Sequence, residues 1–366
     1  MFSSPFPNAF GLDLSDRSVK MVQLRFVPSW RSEPRYLIVC HRRWPLPPGL
    51  ITNGEIQQPE QVRPVIQKLL ASGDHAERWI KSPWVVTSLP DTQGFIKLVQ
   101  LDKSEEDIGP DDVQAVAKRH IPFDEDTYYI DWQIMPGAAG NARQTAVLIA
   151  AVPKNIADMY TYLMESVGLG VVSLELQALA TTRSMITANK IYGDEARAIV
   201  DIGASRTTLI IYDHDHVQCT MSLPFCGELV TTAMEQKLHV THEAAEKQKI
   251  ESGLTGAKGG NAAILHPILD SFVQQLATDI QFYYSHFPDA NKITHITMCG
   301  SGGLLQGLAE LLTAKLKIEA KPGSVWKNLS NGEATRMPDY ESLGLATAIG
   351  LGLRAAQNPF FSNIIL

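Results

Sequence analysis

Two segments that lie far apart in the chain carry the residue types needed to bind a polyphosphate. The first, GLDLSDRSVK, runs from Gly11 to Lys20, and the second, AIVDIGASRTTLIIYD, runs from Ala198 to Asp213. Each contains an aspartate after an apolar run, then small or hydroxyl residues, then a second apolar run. Because a polyphosphate must approach backbone N–H groups closely, turns built from small residues favour this chemistry.

The charged residues of the two turns predict a metal–phosphate site. Asp13 and Asp201 are expected to face one another across the phosphates and to hold Mg²⁺, directly or through its waters. Lys20 follows on the outgoing strand, where its ammonium group can reach a phosphate as a point charge. The residues from Asp201 to Thr207 are expected to form the opposing turn.

A third segment offers a place for the base or ribose of a nucleotide. ITHITMCGSGGLLQGLAELL, from Ile293 to Leu312, predicts a strand, a Gly-rich turn and an apolar helix. The turn from Gly300 to Gly303 exposes bare backbone at the start of that helix, against which a ligand can pack. Together the three segments predict a nucleotide held in a cleft between two similar lobes.

The strands and helices that position these turns are predicted by the pattern of apolar residues. Residues 8–27 and 35–46 alternate between apolar and polar side chains as strands do, with a hairpin connection from Pro28 to Pro34. From Ala198 the same strand–turn–strand arrangement recurs, which predicts an internal repeat. Helices are predicted over residues 59–72, 111–120, 262–287 and 342–356.

On these segments the chain resembles the actin-like ATPase superfamily and, within it, the PilM family, the cytoplasmic actin-like component of type IV pilus assembly. The resemblance extends over roughly residues 8 to 356. Gly11 to Lys20 resembles the phosphate-1 loop, Val200 to Leu209 the phosphate-2 loop, and Met298 to Leu308 the adenosine loop. These three loops are shared with the division protein FtsA.

Other stretches carry the resemblance further. The segment from Leu223 to Lys249 is similar to a family stretch in which Glu246 and Lys249 correspond to ribose contacts. More specific to PilM are three stretches, Val85–Leu101, Val116–Met135 and Val147–Ala180. Two residues depart from the family pattern, since Ser15 and Cys226 each stand where glycine is usual.

The resemblance implies an α/β protein with the actin-like ATPase fold, in which two RNase H-like lobes surround a nucleotide cleft and a small α+β subdomain is inserted. It implies ATP and Mg²⁺ as cofactors. The metal is assigned to Asp13 and Asp201. The nucleotide contacts are predicted at Asp13, Ser15, Lys20, Asp201, Gly203, Ala204, Thr207, Gly227, Glu246, Lys249, Gly300, Ser301, Gly302 and Gly303.

The predicted domain limits divide the chain into five parts. They are a first lobe over residues 1–81, an insert over 82–165 similar to subdomain 1C of the family, a return to the first lobe over 166–197, a second lobe over 198–340, and a C-terminal helix and tail over 341–366. By resemblance, the insert and the first lobe form a groove for the N-terminal cytoplasmic peptide of a PilN-like inner-membrane protein. The tail from Ser362 to Leu366 resembles that peptide, so docking in the groove of its own or another copy is a hypothesis, beside simple packing on the last helix.

Composition limits the other classes of function. A chain of 366 residues with a net charge of −7 and no Lys/Arg cluster is not expected to bind nucleic acid. It has no apolar run long enough to span a bilayer and no signal peptide at its start. The protein is therefore expected in the cytoplasm, peripheral to the inner membrane through its partner. The four cysteines lack CxxC spacing, which indicates buried thiols.

Several alternatives stay open at the level of sequence. An FtsA-like division protein is disfavoured because the tail lacks a basic amphipathic helix, and a small-molecule kinase because no lobe insertion supplies a substrate pocket. The equivalent part of a type II secretion or DNA-uptake system is a further alternative. Whether ATP is hydrolysed slowly, and whether the chain self-associates, is left undecided.

Overall fold

The computed structural model describes residues 4–27, 35–72, 82–120, 125–135, 144–188, 190–254, 260–287, 289–330, 337 and 339–357. The predicted connection at Pro28 to Pro34 and the tail from Asn358 to Leu366 lie outside these residues. The strands of the described residues are β1 (Phe10–Ser15), β2 (Ser18–Val27), β3 (Arg35–Pro45), β4 (Ile51–Thr52), β5 (Glu55–Ile56), β6 (Trp84–Leu89), β7 (Phe95–Leu101), β8 (Tyr128–Met135), β9 (Thr145–Pro153), β10 (Gly170–Leu176), β11 (Ala196–Ile202), β12 (Thr207–Asp213), β13 (His216–Leu223), β14 (Ile293–Cys299) and β15 (Glu319–Pro322).

The helices follow the predicted positions closely. They are α1 (Pro59–Ala71), α2 (Pro110–His120), α3 (Lys154–Ser166), α4 (Gln177–Met185), α5 (Gly227–Leu238), α6 (His242–Ser252), α7 (Gly260–His286), α8 (Leu308–Leu316), α9 (Asp339–Ser342) and α10 (Ala346–Ala356). Within the described part of the chain, no helix combines the length and apolar character needed to cross a membrane.

Two sheets repeat one strand order. The first sheet runs β10-β6-β1-β2-β3, and the second begins β15-β14-β11-β12-β13. In each, the first three strands are parallel and the last two antiparallel. Asp13 on β1 and Asp201 on β11 occupy matching central strands close to the following turn. The internal repeat predicted from the two aspartate turns is therefore confirmed.

The inserted strands extend the second sheet, which continues from β13 through β7 and β9 to β8. The join is narrow, because β13 and β7 share a single residue pair, Cys219 with Lys97. Helix α2 covers one face of these strands through Val113 and Ala117. The apolar side chains of the other face, such as Leu148, belong to the main core of the first lobe.

Elements at both ends of the predicted insert, residues 82–165, belong to the first lobe in the structure. Strand β6 falls within that range, yet it lies between β10 and β1 in the first sheet. At the other end, α3 packs on the first lobe, where Tyr160 donates a hydrogen bond to the carbonyl of Gly54 at 2.9 Å. The insert proper therefore comprises β7, α2, β8 and β9, and the remaining domain limits stay predictions.

Helix α10 packs closely against β1, the strand that carries Asp13. A Cβ added to Gly350 would lie 1.7 Å from the carbonyl oxygen of Ala180, and one added to Gly11 on β1 would lie 2.4 Å from the nitrogen of Gly352. Only glycine allows the backbones to approach this closely. The glycines of this C-terminal helix therefore allow it to pack closely on β1 and α4.

Candidate functional site

A cleft lies between the two repeated hairpins, β1–β2 of the first lobe and β11–β12 of the second. Its inner part is a cavity of about 850 Å³ with aspartate, lysine, arginine and glycine residues from both lobes in its lining. We call it the phosphate cavity. Asp13 and Asp201 both line it, so the structure brings together the two residues predicted to face one another.

Asp13 is buried, and both of its carboxylate oxygens accept hydrogen bonds. Lys20 lies opposite it in the β1–β2 register, and its Nζ lies 2.9 Å from Asp13 Oδ2. The hydroxyl of Ser88 donates to Asp13 Oδ1 at 2.9 Å, and Gln177 Nε2 donates to the same oxygen at 3.3 Å. Lys20 also donates to Ser15 Oγ at 3.3 Å, which places the serine at the usual glycine position against the lysine. The ammonium group of Lys20 and its acceptors on Asp13 and Ser15 therefore lie together in the lining of the phosphate cavity.

Asp201 faces Asp13 from the second lobe. Burial raises the pKa of Asp201 to about 6, the nearby Lys20 lowers it, and Asp13 raises it further. Gly300 has a φ of +74°, and a Cβ on it would lie 2.4 Å from Asp201 Oδ1. A side chain at Gly300 would therefore displace the carboxylate as well as strain the turn.

Hydrogen bonds hold the phosphate-2 turn against helix α5. The N–H of Gly227 donates to the carbonyl of Gly203 at 3.0 Å, and the N–H of Glu228 donates to that of Ala204 at 2.9 Å. Within the turn, the N–H of Gly203 donates to the carbonyl of Arg206 at 2.9 Å. The turn is thereby fixed where it lines the cavity.

A second cavity of about 810 Å³ shares Ser301 with the phosphate cavity and is largely apolar. We call it the nucleoside cavity. Gly227, Gly302 and Lys249 line it, beside Phe225 and Ile250. The two cavities are thus adjacent, one charged and one apolar.

Two residues outside the lining of the nucleoside cavity, Glu246 and Thr231, hold the side chain of Lys249 in place. Its Nζ lies 2.6 Å from Glu246 Oε2 and donates to Thr231 Oγ1 at 2.8 Å. Burial opposes ionisation of Glu246, but the hydrogen bonds from Lys249 and Thr231 outweigh it and lower the pKa of the carboxyl. Glu246 itself is not among the residues that line the cavity.

Most of the predicted nucleotide contacts come together in the two cavities. The phosphate cavity contains Asp13, Ser15, Lys20, Asp201, Gly203, Ala204, Gly300 and Ser301, and the nucleoside cavity contains Gly227, Lys249, Ser301 and Gly302.

Three predicted contacts lie outside the lining of both cavities: Glu246, described above, Thr207 and Gly303. Thr207 pairs with Ile202, whereas its neighbour Thr208 pairs with Asp201 and lines the phosphate cavity. Because side chains alternate along a strand, Thr208 rather than Thr207 shares the face of Asp201. Gly303 packs on the backbone of Cys299, so it serves the turn instead of the cavity.

Several polar residues in or beside the phosphate cavity were not predicted as ligands. Ser88 and Gln177 bond to Asp13, Thr347 lines the phosphate cavity, and Asp91 accepts the N–H of Ala178 at 2.9 Å. They lie at ends of β6, α4 and α10, and no spacing in the chain links them. A signal was available in the polar residues that follow two apolar strand runs, Gln177 directly after β10 and Asp91 one proline after β6.

Asp91 gives a pH-dependent contribution to stability. Burial raises the pKa of its carboxyl to about 7, hydrogen bonds from Ala178 and Thr208 lower it, and the charges of Asp201 and Asp13 raise it. The folded state therefore holds a proton that the unfolded chain releases at lower pH.

We expect the free energy of unfolding to fall as the pH rises from 5 to 8, by about 2 kcal/mol relative to Asp91→Asn. Asparagine keeps the acceptor oxygen for Ala178 and cannot ionise. Urea denaturation of both proteins at the two pH values measures the effect. A difference between them that is independent of pH would contradict the assignment.

A separate groove of about 1240 Å³ runs between the insert and the first lobe. Edge strand β8 of the second sheet forms one rim, and edge strand β10 of the first sheet contributes to the other. Apolar side chains line it, among them Trp132, Leu148 and Leu174, with Arg354 beside them. The Nε of Arg354 is buried and has no partner among the described residues. The predicted groove is thus present.

Comparisons with known proteins agree with this architecture. A family model described as type IV pilus assembly protein PilM matches residues 11–356. The solved PilM–PilN type IV pilus biogenesis complex is similar with a TM-score of 0.80 and 23% identity, over 96% of this chain and 100% of that one. MreB5 of Spiroplasma citri, solved with AMPPNP, is similar with a TM-score of 0.53 and 12% identity, over 94% and 95%.

A curated relative is the cell division protein FtsA of Neisseria meningitidis serogroup B (strain ATCC BAA-335 / MC58), 22% identical over 292 residues, which are 71% of this chain and 69% of the relative. The structural likenesses confirm the predicted actin-like ATPase fold with two lobes around a cleft.

Proposed function

This chain belongs to the PilM family of type IV pilus assembly proteins, and on that basis we propose that it is an ATP-binding scaffold that holds the N-terminal cytoplasmic peptide of a PilN-like inner-membrane protein. The observation that carries the proposal is the pairing of a charged cavity with an adjacent apolar one at the predicted loops. The proposed place of the protein is peripheral to the membrane, through that partner.

The residues of the cleft suit a nucleoside triphosphate. Lys20 supplies a cation to the phosphate cavity, and the backbone around Gly300 is bare. The base would lie against Phe225 and Ile250, with the ribose beside Lys249. Apolar walls for the base and charge for the phosphates match the two ends of the ligand.

The residues also suit Mg²⁺ that arrives with the nucleotide. No cluster of three or more acidic, histidine or cysteine side chains in the described residues could hold a metal ion alone. Mg²⁺ bound by one or two carboxylates usually keeps several waters and takes the rest of its ligands from phosphates. Asp13 and Asp201 would hold it in that way, and the ion would neutralise phosphate charge.

The groove suits an extended apolar peptide. Edge strands present unpaired N–H and C=O groups, to which a peptide can bind by strand addition. Both β8 and β10 end their sheets at the groove. The unpartnered Nε of Arg354 offers a donor to a peptide carbonyl or amide side chain.

Two measurements on the full chain test the proposal. Calorimetry should detect binding of ATP in the presence of Mg²⁺, and fluorescence anisotropy should detect binding of the N-terminal peptide of a PilN-like protein. Capture from a membrane extract, with the partner identified, distinguishes a pilus machine from a secretion or DNA-uptake machine. A chain that binds neither ATP nor the peptide would contradict the proposal.

A further inference from the structure

Each phosphate turn carries an arginine whose side chain contacts the opposite lobe across the cleft. Arg17, at the tip of the β1–β2 turn, lies 2.9 Å from Glu228 Oε2 on α5 of the second lobe. Arg206, in the β11–β12 turn, donates from Nη2 to Asn53 Oδ1 of the first lobe at 2.5 Å. Both arginines line the phosphate cavity. Each lobe therefore contributes one arginine of the cavity lining that contacts the other lobe.

The acceptor of Arg206 is held rigidly. Asn53 and Gly54 have φ of +55° and +77° in the two-residue turn between β4 and β5, as expected for an Asn-Gly hairpin. Asp16 accepts the N–H of Asn53 and that of Gly54, each at 3.0 Å. Asp16 precedes Arg17 in the chain. The β1–β2 turn therefore carries Arg17 and also holds Asn53, the acceptor of Arg206.

The acceptor of Arg17 is held in a matching way. The N–H of Glu228 donates to the carbonyl of Ala204 at 2.9 Å, two residues before Arg206 in the phosphate-2 turn. The contacts therefore close a ring. Arg17 contacts Glu228, and Glu228 bonds to Ala204 in the turn that carries Arg206. Arg206 bonds to Asn53, and Asn53 bonds to Asp16, the neighbour of Arg17 in the chain. We call this closed set of contacts the arginine ring.

We infer that the arginine ring closes the cleft over the bound phosphates and sets the rate at which nucleotide leaves. This inference rests on the proposed nucleotide site. Both arginines line the cavity and join its two lobes, so opening of the cleft to release nucleotide would require at least one of the two contacts to break. The side chains of Arg17 and Glu228 are about one-third exposed (31% and 37%), so each crossing is expected to be modest and reversible.

The test measures dissociation of a fluorescent ATP analogue from the full chain, in a stopped-flow chase with excess ATP and Mg²⁺. Arg17→Ala and Arg206→Ala should each accelerate dissociation about threefold, and the double variant about tenfold. Arg17→Ala/Glu228→Gln should be no faster than Arg17→Ala alone, because both changes break one crossing. The exchange Arg17→Glu/Glu228→Arg should restore slow release.

A matched control separates the ring from general charge. Arg63 on α1 also forms an ion pair of 2.9 Å, with Glu60 Oε1, but this pair lies within the first lobe and outside the lining of both cavities. Arg63→Ala removes the same charge and should leave the dissociation rate unchanged.

The inference is overturned if the ring variants bind nucleotide and release it at the unsubstituted rate, or no faster than Arg63→Ala. It also fails if the charge exchange does not slow release. If the unsubstituted chain binds no analogue at all, the proposed nucleotide site is wrong, and the ring inference falls with it.

Discussion

Replacement of Lys20 by alanine is expected to lower the affinity for Mg·ATP by at least about 100-fold. The Lys20 side chain is only 11% exposed and lies in the phosphate cavity, where its charge is weakly screened. Calorimetry of the variant with ATP and Mg²⁺ measures the change.

The same replacement also affects folding, because it leaves the buried carboxylate of Asp13 without its cation. Breaking a buried ion pair from one side costs about 3 kcal/mol. The double variant Asp13→Asn/Lys20→Met removes both charges and should recover stability in urea denaturation without recovering ATP affinity. That combination assigns the loss of binding to the site and not to unfolding.

Arg43→Ala is the control for charge, since Arg43 lines the same cavity from an exposed position on β3. We expect it to weaken ATP binding only a few-fold. A stable Lys20 variant that binds ATP as the unsubstituted chain does would contradict the assignment of this lysine to the phosphates.

Replacement of Ser173 by tryptophan is expected to weaken binding of the PilN-like peptide by more than about 100-fold, because the indole would fill the groove. Ser173 lies on β10, is half-buried and lines the groove. Fluorescence anisotropy with the labelled peptide measures the loss, and ATP affinity should stay unchanged.

Thr220→Trp is the matched control. Thr220 is likewise a half-buried strand residue, but it lines a different depression, between β13 and the end of α7. If this variant loses the peptide and Ser173→Trp retains it, the peptide binds at the other depression and the groove assignment is wrong.

Deletion of residues 82–165, the range of the predicted insert, is a poorer test of partner binding than these substitutions. It would remove strand β6 from the middle of the first sheet and helix α3, which packs on the first lobe. Loss of the peptide would then follow from unfolding of the first lobe. A single side chain that fills the groove leaves both sheets complete.

The aspartate turns were predictable because they are local. Asp13 and Asp201 each follow an apolar strand directly, so spacing within one segment places them. The choice between Thr207 and Thr208 was not predictable in this way, since it depends on the pairing register of β12, and a shift of one residue reverses the face of a strand.

The remaining ligands and the insert depend on contacts between distant segments. Ser88 and Gln177 reach Asp13 only because β6, β10 and α4 assemble around β1. Likewise, the extension of the second sheet by the insert relies on one residue pair, Cys219 with Lys97. No local pattern in the chain encodes a pairing this short.

That short join gives the groove a mechanical property. Its rim strands β8 and β10 belong to different sheets, so a hinge motion between the sheets would change the width of the groove. The same motion would change the separation of Asp13 on β1 and Asp201 on β11. If the proposed nucleotide favours one hinge angle, it would therefore alter the affinity for the proposed peptide. Thermodynamic reciprocity then requires the peptide to alter the affinity for the nucleotide by the same factor.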